Sequence, residues 1–519
     1  MAMLSSGYAV DLGDEPALID ESGETTWAEL DERINRLVHA FRAAGLGAGD
    51  TVAIVAGNRR EWFELLNAFG HMGVTYVPVN WHWSAEEIAY VLDDSDSTAV
   101  IAGHRFVDVV TEALADPLVT GVELSIAIGD TVPTGFAAYE EFLAGGDAAE
   151  PDDQQLGGPM FYTSGTTGHP KGVRGALSGA TGAAPDLMKL VAAGFGELLP
   201  PGGRSLLCGP IYHSAQWAFS WLPMINGSSC VMRHRFDQAE VPRLIDSYGV
   251  TNVHLVPTQF KRMIDLPDEV RAEFDGSSLT TVWHGAAPCP PEVKRRMIDW
   301  WGPIVNEYYG STEGSVISTI TSEEWLERGG SVGRPLPVME VIVVDDAGTR
   351  VEQGREGTLY FRNLLGTDFE YHKAPEKTAE AHLEPGVFTT GDIGYLDDDG
   401  YLWLSDRKID MIISGGVNIY PAEIEGVLNV HPAVADAAVF GVPDDEFGEQ
   451  VKAALVLHDG RAPSDELATD ILRYCREHLA GYKVPRSVDW ADELPRTGTG
   501  KIQKRKLRDP YWAGLDRRI

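Results

Sequence analysis

The sequence is poor in cysteine and has no long apolar run. Its 519 residues include four cysteines, Cys208, Cys230, Cys289 and Cys475, and no two of them form a CxxC pair. This spacing argues against a zinc site or a disulfide framework, so we expect a reducing, cytoplasmic setting. No apolar stretch approaches the ~20 residues that span a bilayer, and the first residues lack a basic region followed by an apolar one. We therefore predict no stable membrane insertion.

Positive charge is also scarce. There are 42 basic against 78 acidic residues, which gives a net charge of -36. Such a balance argues against a general affinity for nucleic acid or anionic membrane. Any polyanionic ligand must find a local basic pocket.

The chain is longer than one hydrophobic core usually serves, so at least two domains are expected. A homodimer is left open.

Alternating strand and helix patterns predict an α/β fold for the first part of the chain. Short β-rich runs such as TVAIVAG and VTYVPVN alternate with amphipathic helical segments over residues 51–103, and the alternation resumes over 204–309. This rhythm predicts two α/β layers with parallel strands. Short strands and turns over 333–404 predict a small β subdomain. A compact α+β pattern follows, so we predict an N-terminal domain over 1–406 and a mobile C-terminal domain over 407–519.

The densest chemical signal is the segment MFYTSGTTGHPKGV. An apolar strand leads into a turn rich in glycine and hydroxyl groups, which a lysine closes. Phosphate binding requires close backbone N–H groups, short hydroxyl donors and a positive charge, and this turn supplies all of them. The spacing does not fit GxxxxGK[ST]. The predicted phosphate cradle comprises Thr163, Ser164, Gly165, Thr166, Thr167, Gly168 and Lys171.

This turn resembles the signature of the adenylate-forming superfamily, which contains acyl-CoA synthetases, peptide-synthetase adenylation domains and luciferases. The resemblance continues in order along nearly the whole chain. It implies that Tyr309 packs against adenine, that Thr312 contacts the α-phosphate and that Glu313 holds Mg, with Thr166 as a further metal ligand. The two motifs that carry these residues also place Gly285, Ala286, Ala287, Pro288, Glu307, Tyr308, Gly310 and Ser311 at the nucleotide.

Three further motifs, in the second half of the chain, resemble motifs of the family. Asp392, in a TGD sequence, is implied as the acceptor of the ribose hydroxyls, and Arg407 as a second ribose or phosphate contact. Ser414, Gly415 and Gly416 resemble the glycine loop that lets the pantetheine arm of CoA pass close to the backbone. The hinge is predicted at 406–410, where Ile409 departs from the Asp or Lys usual in the family.

A lysine near the C-terminus is implied as the catalytic cation. Lys501 lies in the sequence PRTGTGKI. A carboxylate and a phosphate repel each other, so a mobile positive charge helps them to react. The competing interpretation is a solvated basic tail, because Lys504, Arg505 and Lys506 follow closely.

The acid-binding side is indicated by aromatic residues. The segment PIYHSAQW resembles the family's aromatic motif, which implies that His213 borders the acid and takes part in catalysis. Trp217 falls where bacterial long-chain enzymes carry a gating tryptophan. With Trp283 and His284 these residues predict an apolar acyl pocket. The pattern indicates a hydrophobic acid, although chain length and ring content stay open.

The implied reaction joins a carboxylic acid to coenzyme A through an acyl-adenylate, with ATP consumed to AMP and diphosphate. The alternatives are a stand-alone adenylating enzyme that loads a carrier protein, a luciferase-like oxidation from the same adenylate, and a non-catalytic nucleotide-binding protein. A serine hydrolase must also be weighed, because Gly329 to Gly333 matches GxSxG around Ser331. A nucleophile elbow needs a strand before the serine and a helix after it, and the flanking sequences predict the reverse.

Overall fold

The computed structural model describes residues 3–163, 170–175, 194, 196, 198–345, 347–407, 410–414, 417–444, 447–496 and 502–513, with the side chains of residues 406, 407, 417 and 418 excepted. It has a large N-terminal domain of α/β and β parts and a small C-terminal domain. No helix in these ranges is both long and apolar enough to cross a bilayer.

The first α/β part is a six-stranded sheet in which every strand pair is parallel. Its central strand is buried at every position, which is typical of parallel strands covered on both faces. In order across the sheet the strands are Ala137–Ala138, Leu124–Ile128, Ala99–Gly103, Thr51–Val55, Thr75–Pro78 and Gly158–Pro159. The helices are Arg60–Gly70, Ala85–Asp94, Val107–Leu114 and Tyr139–Ala144.

A capping box starts the helix Ala85–Asp94. Ser84 Oγ accepts the backbone N–H of Glu87 at 3.3 Å, and the Glu87 carboxylate accepts the N–H of Ser84 at 2.8 Å. Such a cap stabilises a helix by about 1 kcal/mol. The helix ends at Asp94, whose carboxylate accepts the hydroxyl of Tyr162 at 2.7 Å. The first sheet is thereby tied to the strand that leads into the glycine-rich turn.

The second α/β part is a nine-stranded sheet, parallel in its centre and antiparallel at its ends. In order its strands are Arg334–Pro335, Ser315–Ile320, Val305–Ser311, Thr281–His284, Asn252–Leu255, Arg204–Leu207, Ser229–Met232, Pro16–Asp20 and Gly23–Thr26. Its helices are Ser6–Asp11, Trp27–Ala43, Ser214–Ile225, Glu240–Tyr248, Pro257–Ile264, Asp268–Ala272, Pro291–Trp301 and Ser322–Glu327. One apolar cluster joins residues of both sheets, which makes the two layers a common core.

The predicted β subdomain is present and contains little helix. Its main sheet has the strands His382–Glu384, Val387–Phe388, Gly357–Asn363, Met339–Val344, Asp392–Leu396 and Leu402–Arg407. A three-stranded sheet of Glu370–Tyr371, Lys171–Arg174 and Phe161–Thr163 lies beside it, and the helix is Pro375–Glu380. The strand Lys171–Arg174 therefore carries the end of the glycine-rich turn to the β subdomain.

The C-terminal part has its own sheet and its own core. The strands are Val417–Ile419, Ile412–Ser414, Gly448–Leu457, Val434–Asp444 and Ser487–Trp490, and the helices are Pro421–Leu428, Asp465–His478, the 3-10 turn Gly481–Lys483 and Lys504–Trp512. A guanidinium N–H of Arg496 donates to the Thr258 hydroxyl at 3.4 Å, across to the large domain. The boundary at 406–410 remains a prediction, and the hinge residue Ile409 lies outside the described residues.

Candidate active site

The candidate site lies at the carboxyl ends of parallel strands in the nine-stranded sheet. The strands Arg204–Leu207, Asn252–Leu255, Thr281–His284 and Val305–Ser311 are neighbours and run parallel. Their carboxyl ends therefore share one edge of the sheet, which is where open α/β sheets bind ligands. The motifs predicted to bind acid and nucleotide follow these strands directly.

The glycine-rich turn connects two strands of a hairpin. Phe161–Thr163 and Lys171–Arg174 are antiparallel, and Thr163 faces Lys171 in the register. The two ends of the predicted cradle are thus held side by side. Ser164, Gly165, Thr166, Thr167 and Gly168 lie outside the described residues, so their predicted phosphate contacts stay predictions.

Lys171 belongs to a cluster that also contains Tyr371 and Glu313. The Lys171 ammonium lies 4.9 Å from the centroid of the Tyr371 ring, within reach of a cation–π attraction. The Tyr371 hydroxyl in turn donates to Glu313 Oε1 at 3.0 Å. Burial lowers the pKa of Lys171, the nearby Lys377 lowers it further, and Glu313 opposes the shift. Lys171 and Lys377 thus lie near each other at this end of the turn, with the carboxylates of Glu313 and Glu380 close by.

Thr312 lies against the start of the helix Ser214–Ile225. Its hydroxyl is 3.1 Å from the hydroxyl of Ser214, which joins two segments 98 positions apart. His213 is the residue just before that helix. Its Nε2 atom is buried and has no hydrogen-bond partner among the described residues. Burial lowers the pKa of His213 to about 3, so the imidazole is neutral and has an unused nitrogen.

Tyr309 and Asp392, which are both predicted to bind the nucleotide, are in contact. The Tyr309 hydroxyl donates to Asp392 Oδ2 at 2.5 Å, and the Thr390 hydroxyl donates to the same oxygen at 2.6 Å. Asp392 is also paired in the strand register with Arg407, whose side chain lies outside the description. The TGD carboxylate and the tyrosine of the YGSTEG motif are therefore neighbours.

The turn Gly285–Pro288 follows the strand Thr281–His284. A Cβ on Gly285 would lie 2.6 Å from the Tyr308 ring, so no larger residue fits there. Ala286 has a φ of 67°, which an alanine seldom adopts. Ala287 and Pro288 complete the turn. The backbone of Gly285 is thus held against Tyr308 at the end of the strand.

The tip after Tyr309 is a tight hairpin. A Cβ on Gly310 would lie 2.1 Å from the carbonyl oxygen of Ser315, so the position requires glycine. The Ser311 hydroxyl accepts the backbone N–H of Gly314 at 2.9 Å. This tip carries Thr312 and Glu313 and fixes the angle at which both leave the sheet.

Glu307 forms a buried ion pair that sequence reasoning did not find. Its Oε2 lies 2.7 Å from the ammonium of Lys294, which is fully buried and packs on the Trp325 ring. Burial raises the pKa of Glu307 and lowers that of Lys294, and each partner opposes the shift of the other. His284 is buried beside the pair, and neither of its ring nitrogens has a hydrogen-bond partner among the described residues. The roles predicted for Glu307 and His284 remain predictions.

The two predicted pocket tryptophans lie in different apolar clusters. The Trp217 indole N–H donates to the Tyr76 hydroxyl at 3.1 Å within the core shared by both sheets. The Trp283 indole N–H donates to the carbonyl of Leu198 at 2.9 Å, in a cluster that also contains Phe219. Sequence motifs alone did not separate these two environments.

Asn58 is another residue that sequence reasoning missed. Its amide nitrogen donates to the carbonyls of Gly209 and Arg233 at 2.8 and 2.9 Å, and its oxygen accepts the N–H of Ile211 at 2.9 Å. These bonds hold the segment that ends at His213. Tyr371 was also missed from the sequence. It lies far from every recognised motif, and nothing in the sequence marks it.

Other predicted residues are placed apart or not described. Ser414 ends a strand that faces Val417 in a hairpin, while Gly415, Gly416 and Lys501 lie outside the described residues. Ser331 is buried, and its hydroxyl donates to the carbonyl of Leu402 at 2.8 Å. Because the helix Ser322–Glu327 precedes it and no helix follows at once, Ser331 is not at a nucleophile elbow, as the flanking sequence predicts.

Residues predicted to bind nucleotide, metal and acid thus lie close to the carboxyl ends of these strands, in the two-domain fold of adenylate-forming enzymes. The chain belongs to the AMP-binding enzyme family, which matches residues 8–365, and the AMP-binding enzyme C-terminal domain matches residues 423–501. It is an acid–thiol ligase of the acyl-CoA synthetase class.

Characterised relatives span nearly the whole chain. A feruloyl-CoA synthase of Amycolatopsis sp is 35% identical over 93% of this chain and 93% of its own length. A fatty acid–[acyl-carrier-protein] ligase of Streptomyces coeruleorubidus is 31% identical over 97% of this chain and 95% of its own length. The o-succinylbenzoate CoA synthetase of Bacillus subtilis, solved with its acyl-adenylate intermediate, has a TM-score of 0.82 and 28% identity, covering 98% of each chain.

Proposed function

We propose that this enzyme converts ATP, a hydrophobic carboxylic acid and CoA to an acyl-CoA, AMP and diphosphate through an acyl-adenylate. The observation that supports this proposal most directly is the meeting of three groups around the strand Val305–Ser311. Tyr309 contacts Asp392, Thr312 contacts Ser214, and Glu313 contacts Tyr371. In this proposal Asp392 accepts the ribose hydroxyls, Thr312 donates to the α-phosphate and Glu313 binds the metal, and the three contacts support these roles by holding the residues around one strand end.

In the first half-reaction the carboxylate attacks the α-phosphorus of ATP and diphosphate leaves. The hydroxyl groups of Ser164, Thr166 and Thr167 and the ammonium of Lys171 hold the leaving diphosphate, because these donors favour negative charge. Thr312 contacts the α-phosphate. Lys501 screens the repulsion between the two reacting anions. His213 borders the acid, and its neutral ring avoids adding a charge to the acyl pocket.

The residues present fit a Mg ion. Glu313 supplies a hard carboxylate oxygen, and Tyr371 holds its other oxygen in place at 3.0 Å. No group of three or more His, Cys, Asp or Glu side chains forms a metal cage in the described ranges. Mg is commonly held by one or two carboxylates together with substrate phosphates, so a single glutamate suits it. When bound, the ion neutralises phosphate charge; Glu313 and Thr166 would hold it.

In the second half-reaction the CoA thiol displaces AMP from the adenylate. We assign the glycine loop around Gly415 and Gly416 to the pantetheine arm and the rotation to residues 406–410. We assign the present conformation to the first step. The contact between Arg496 and Thr258 supports this assignment, because it holds the segment before Lys501 against the large domain. The helix that carries Thr258 starts at the carboxyl end of the strand Asn252–Leu255, next to the site.

A carrier protein is the second candidate for the acyl acceptor. The similarity to a fatty acid–[acyl-carrier-protein] ligase supports it, at 31% identity, against 35% for the feruloyl-CoA synthase. Both reactions share the same adenylate, so the large domain does not distinguish them.

A screen of acids with and without CoA tests the proposal. The enzyme is incubated with Mg-ATP and short, medium, long, aromatic or polycyclic acids. The adenylate is trapped with hydroxylamine, and the release of diphosphate is measured. We expect turnover with hydrophobic acids, weak turnover with acetate, and a strong increase on addition of CoA. Turnover that rises only with an acyl-carrier protein would make the carrier protein the acceptor. The absence of any adenylate would overturn the proposed function.

A further inference from the structure

Ser214 and Thr312 form a pair of hydroxyl groups at the candidate site. Ser214 is the first residue of the helix Ser214–Ile225, and its Oγ lies 3.1 Å from the Oγ of Thr312. Both residues are partly exposed, whereas Gln216 and Trp217, further along the helix, are buried. The pair therefore lies at an accessible surface of the site and not in the apolar core.

Both hydroxyls are carried by backbone that is held in place. Thr312 lies in the short turn between the antiparallel strands Val305–Ser311 and Ser315–Ile320. Ser214 follows a segment whose backbone makes two hydrogen bonds with the Asn58 side chain. The contact between the two hydroxyls thus joins two ordered elements of the large domain.

The hydrogens available to the pair determine which hydroxyl donates. A hydroxyl group has one hydrogen to donate and two lone pairs that accept. The oxygens of a phosphate only accept, so a Thr312 that contacts the α-phosphate gives its hydrogen to that contact. The same hydrogen is then not available to Ser214. When ATP is bound, Ser214 is therefore the donor and the Thr312 oxygen is the acceptor.

This bond restricts the rotation of the Thr312 hydroxyl. Threonine is β-branched, so its χ1 angle is already restricted and the rotation of the hydroxyl hydrogen is the main freedom that is left. With Ser214 as the donor, the hydrogen of Thr312 is directed away from Ser214. A hydroxyl that accepts a hydrogen bond is also a stronger donor, because neighbouring hydrogen bonds polarise one another.

The start of the helix favours a negative ligand beside the pair. The helix has 12 residues, His213 makes no side-chain cap, and the first turn contains no acidic residue. The start of an α-helix carries about half a positive elementary charge and N–H groups that lack partners within the helix. The surroundings of Ser214 and Thr312 therefore agree with the anion that the hydroxyl pair is expected to contact.

We infer that Ser214 is a positioning residue for adenylate formation. It donates a hydrogen bond to Thr312 and thereby aims the Thr312 hydroxyl at one of the two non-bridging oxygens of the α-phosphate. The inference rests on the proposed function, in which Thr312 binds that phosphate. In the reaction the bond from the carboxylate oxygen to the α-phosphorus forms, and the bond from the α-phosphorus to the diphosphate oxygen breaks. Both hydroxyls keep their hydrogens.

Two forms of ATP with sulfur at the α-phosphate test this directional role. Sulfur is a weak hydrogen-bond acceptor, so the Rp and Sp forms of ATPαS differ in whether the aimed hydroxyl meets oxygen or sulfur. The single-turnover rate of diphosphate release with a hydrophobic acid is measured for each form at one Mg concentration. Any effect of Mg on the ratio of the two rates is common to all variants. We expect this ratio to change by roughly fivefold in Ser214→Ala, the effect of one neutral hydrogen bond.

A double-mutant comparison separates positioning from general support of the fold. With ATP, Ser214→Ala should lower the maximal single-turnover rate by roughly fivefold, while the half-saturating ATP and acid concentrations stay within about twofold. In Thr312→Val, which lacks the hydroxyl, the further change Ser214→Ala should alter the rate by less than about twofold, because Ser214 acts through that hydroxyl. Ser214→Thr retains the donor and should keep the rate within about twofold of the intact enzyme.

Ser220→Ala is the matched control. Ser220 lies in the same helix and donates to the Gln216 carbonyl at 2.6 Å, so its loss tests the stability of the helix without removing the contact with Thr312. The ratio of the rates with Rp and Sp ATPαS should equal that of the intact enzyme, whatever the change in Tm.

The results distinguish this inference from the proposed function. An unchanged ratio for Rp and Sp ATPαS in Ser214→Ala would overturn the role of Ser214, and so would an equal loss of rate when Ser214→Ala is added to Thr312→Val. Either result would leave the acyl-CoA ligase assignment standing, because the intact enzyme would still release diphosphate with an acid. An intact enzyme that releases no diphosphate with any acid of the screen would overturn the proposed function itself.

Discussion

The hydroxyl of Tyr309 lies 2.5 Å from Oδ2 of Asp392, although 83 positions separate the two residues in the sequence. Two remote motifs, YGSTEG and TGD, are joined by this bond. One side chain comes from the nine-stranded sheet and the other from the β subdomain. The contact therefore joins these two parts of the large domain at the site proposed for the nucleotide.

Asp392→Asn should weaken ATP binding. The change retains the shape of the side chain but removes the charge that accepts the Tyr309 and Thr390 hydroxyls and, as proposed, the ribose. Hydrogen bonds to a charged group are worth about 1.5–3 kcal/mol, so we expect KM for ATP to rise by roughly 10- to 100-fold. KM for the acid should change little. Asp398→Asn, on an exposed turn, is the control, and an unchanged KM for ATP in Asp392→Asn would contradict the assignment.

Glu313→Gln should raise the Mg concentration needed for half-maximal activity by at least about tenfold, because an amide oxygen is a weaker ligand for a hard cation than a carboxylate. Tyr371→Phe keeps the carboxylate and removes its 3.0 Å hydrogen bond, so its effect should be smaller. Glu327→Gln, on the exposed end of a helix, provides the control. The measurement is a Mg titration of diphosphate release; equal Mg requirements for Glu313→Gln and the intact enzyme would remove Glu313 from the metal site.

Lys501→Ala and a bulky change at Gly416 should affect opposite half-reactions. Without Lys501 the repulsion between carboxylate and α-phosphate is unscreened, so acid-dependent diphosphate exchange should fall by ~100-fold or more. Conversion of preformed acyl-AMP to thioester should persist. Gly416→Leu should retain exchange and lose thioester formation. Lys506→Ala is the control for general loss of basic charge, and equal losses in both steps for Lys501→Ala would contradict its role.

His254 should make the fold sensitive to acid. Its pKa is lowered from 6.5 to about 3 by burial, so below pH 6.5 the unfolded chain binds a proton that the folded protein does not. Stability present at neutral pH is therefore lost progressively as the pH falls from 6.5 toward 3. At pH 5 the loss from this group is about 2 kcal/mol. Denaturant unfolding at pH 7.5 and pH 5 should show a smaller loss in His254→Gln than in the intact protein, and equal losses would contradict a buried neutral imidazole.

The class of fold and the order of its parts could be predicted from the sequence. Runs such as TVAIVAG predict strands because they are β-rich, and the strand Thr51–Val55 is buried throughout as parallel strands require. The rejection of Ser331 as a nucleophile was also correct. It depended on the charged, helical character of the preceding segment, and the helix Ser322–Glu327 confirms that character.

The supporting side chains could not be predicted from the sequence. Tyr371, Lys294 and His254 are far in sequence from the residues they contact, at Glu313, Glu307 and Tyr308. A single tyrosine or histidine in a strand has no pattern that distinguishes a core residue from a hydrogen-bond partner. Only the pairing of strands and the direction of side chains bring these groups together. For the same reason the motifs did not show that Trp217 and Trp283 occupy different clusters.

Identification of the nucleotide product distinguishes adenylate formation from phosphate transfer. Purified enzyme is incubated with Mg-ATP labelled at the α-phosphate and a hydrophobic acid, first without and then with CoA. We expect diphosphate and enzyme-bound acyl-AMP in equal amounts before CoA is added, and AMP and acyl-CoA afterwards. Formation of ADP and phosphate, or an enzyme with no Mg-dependent affinity for ATP, would contradict it.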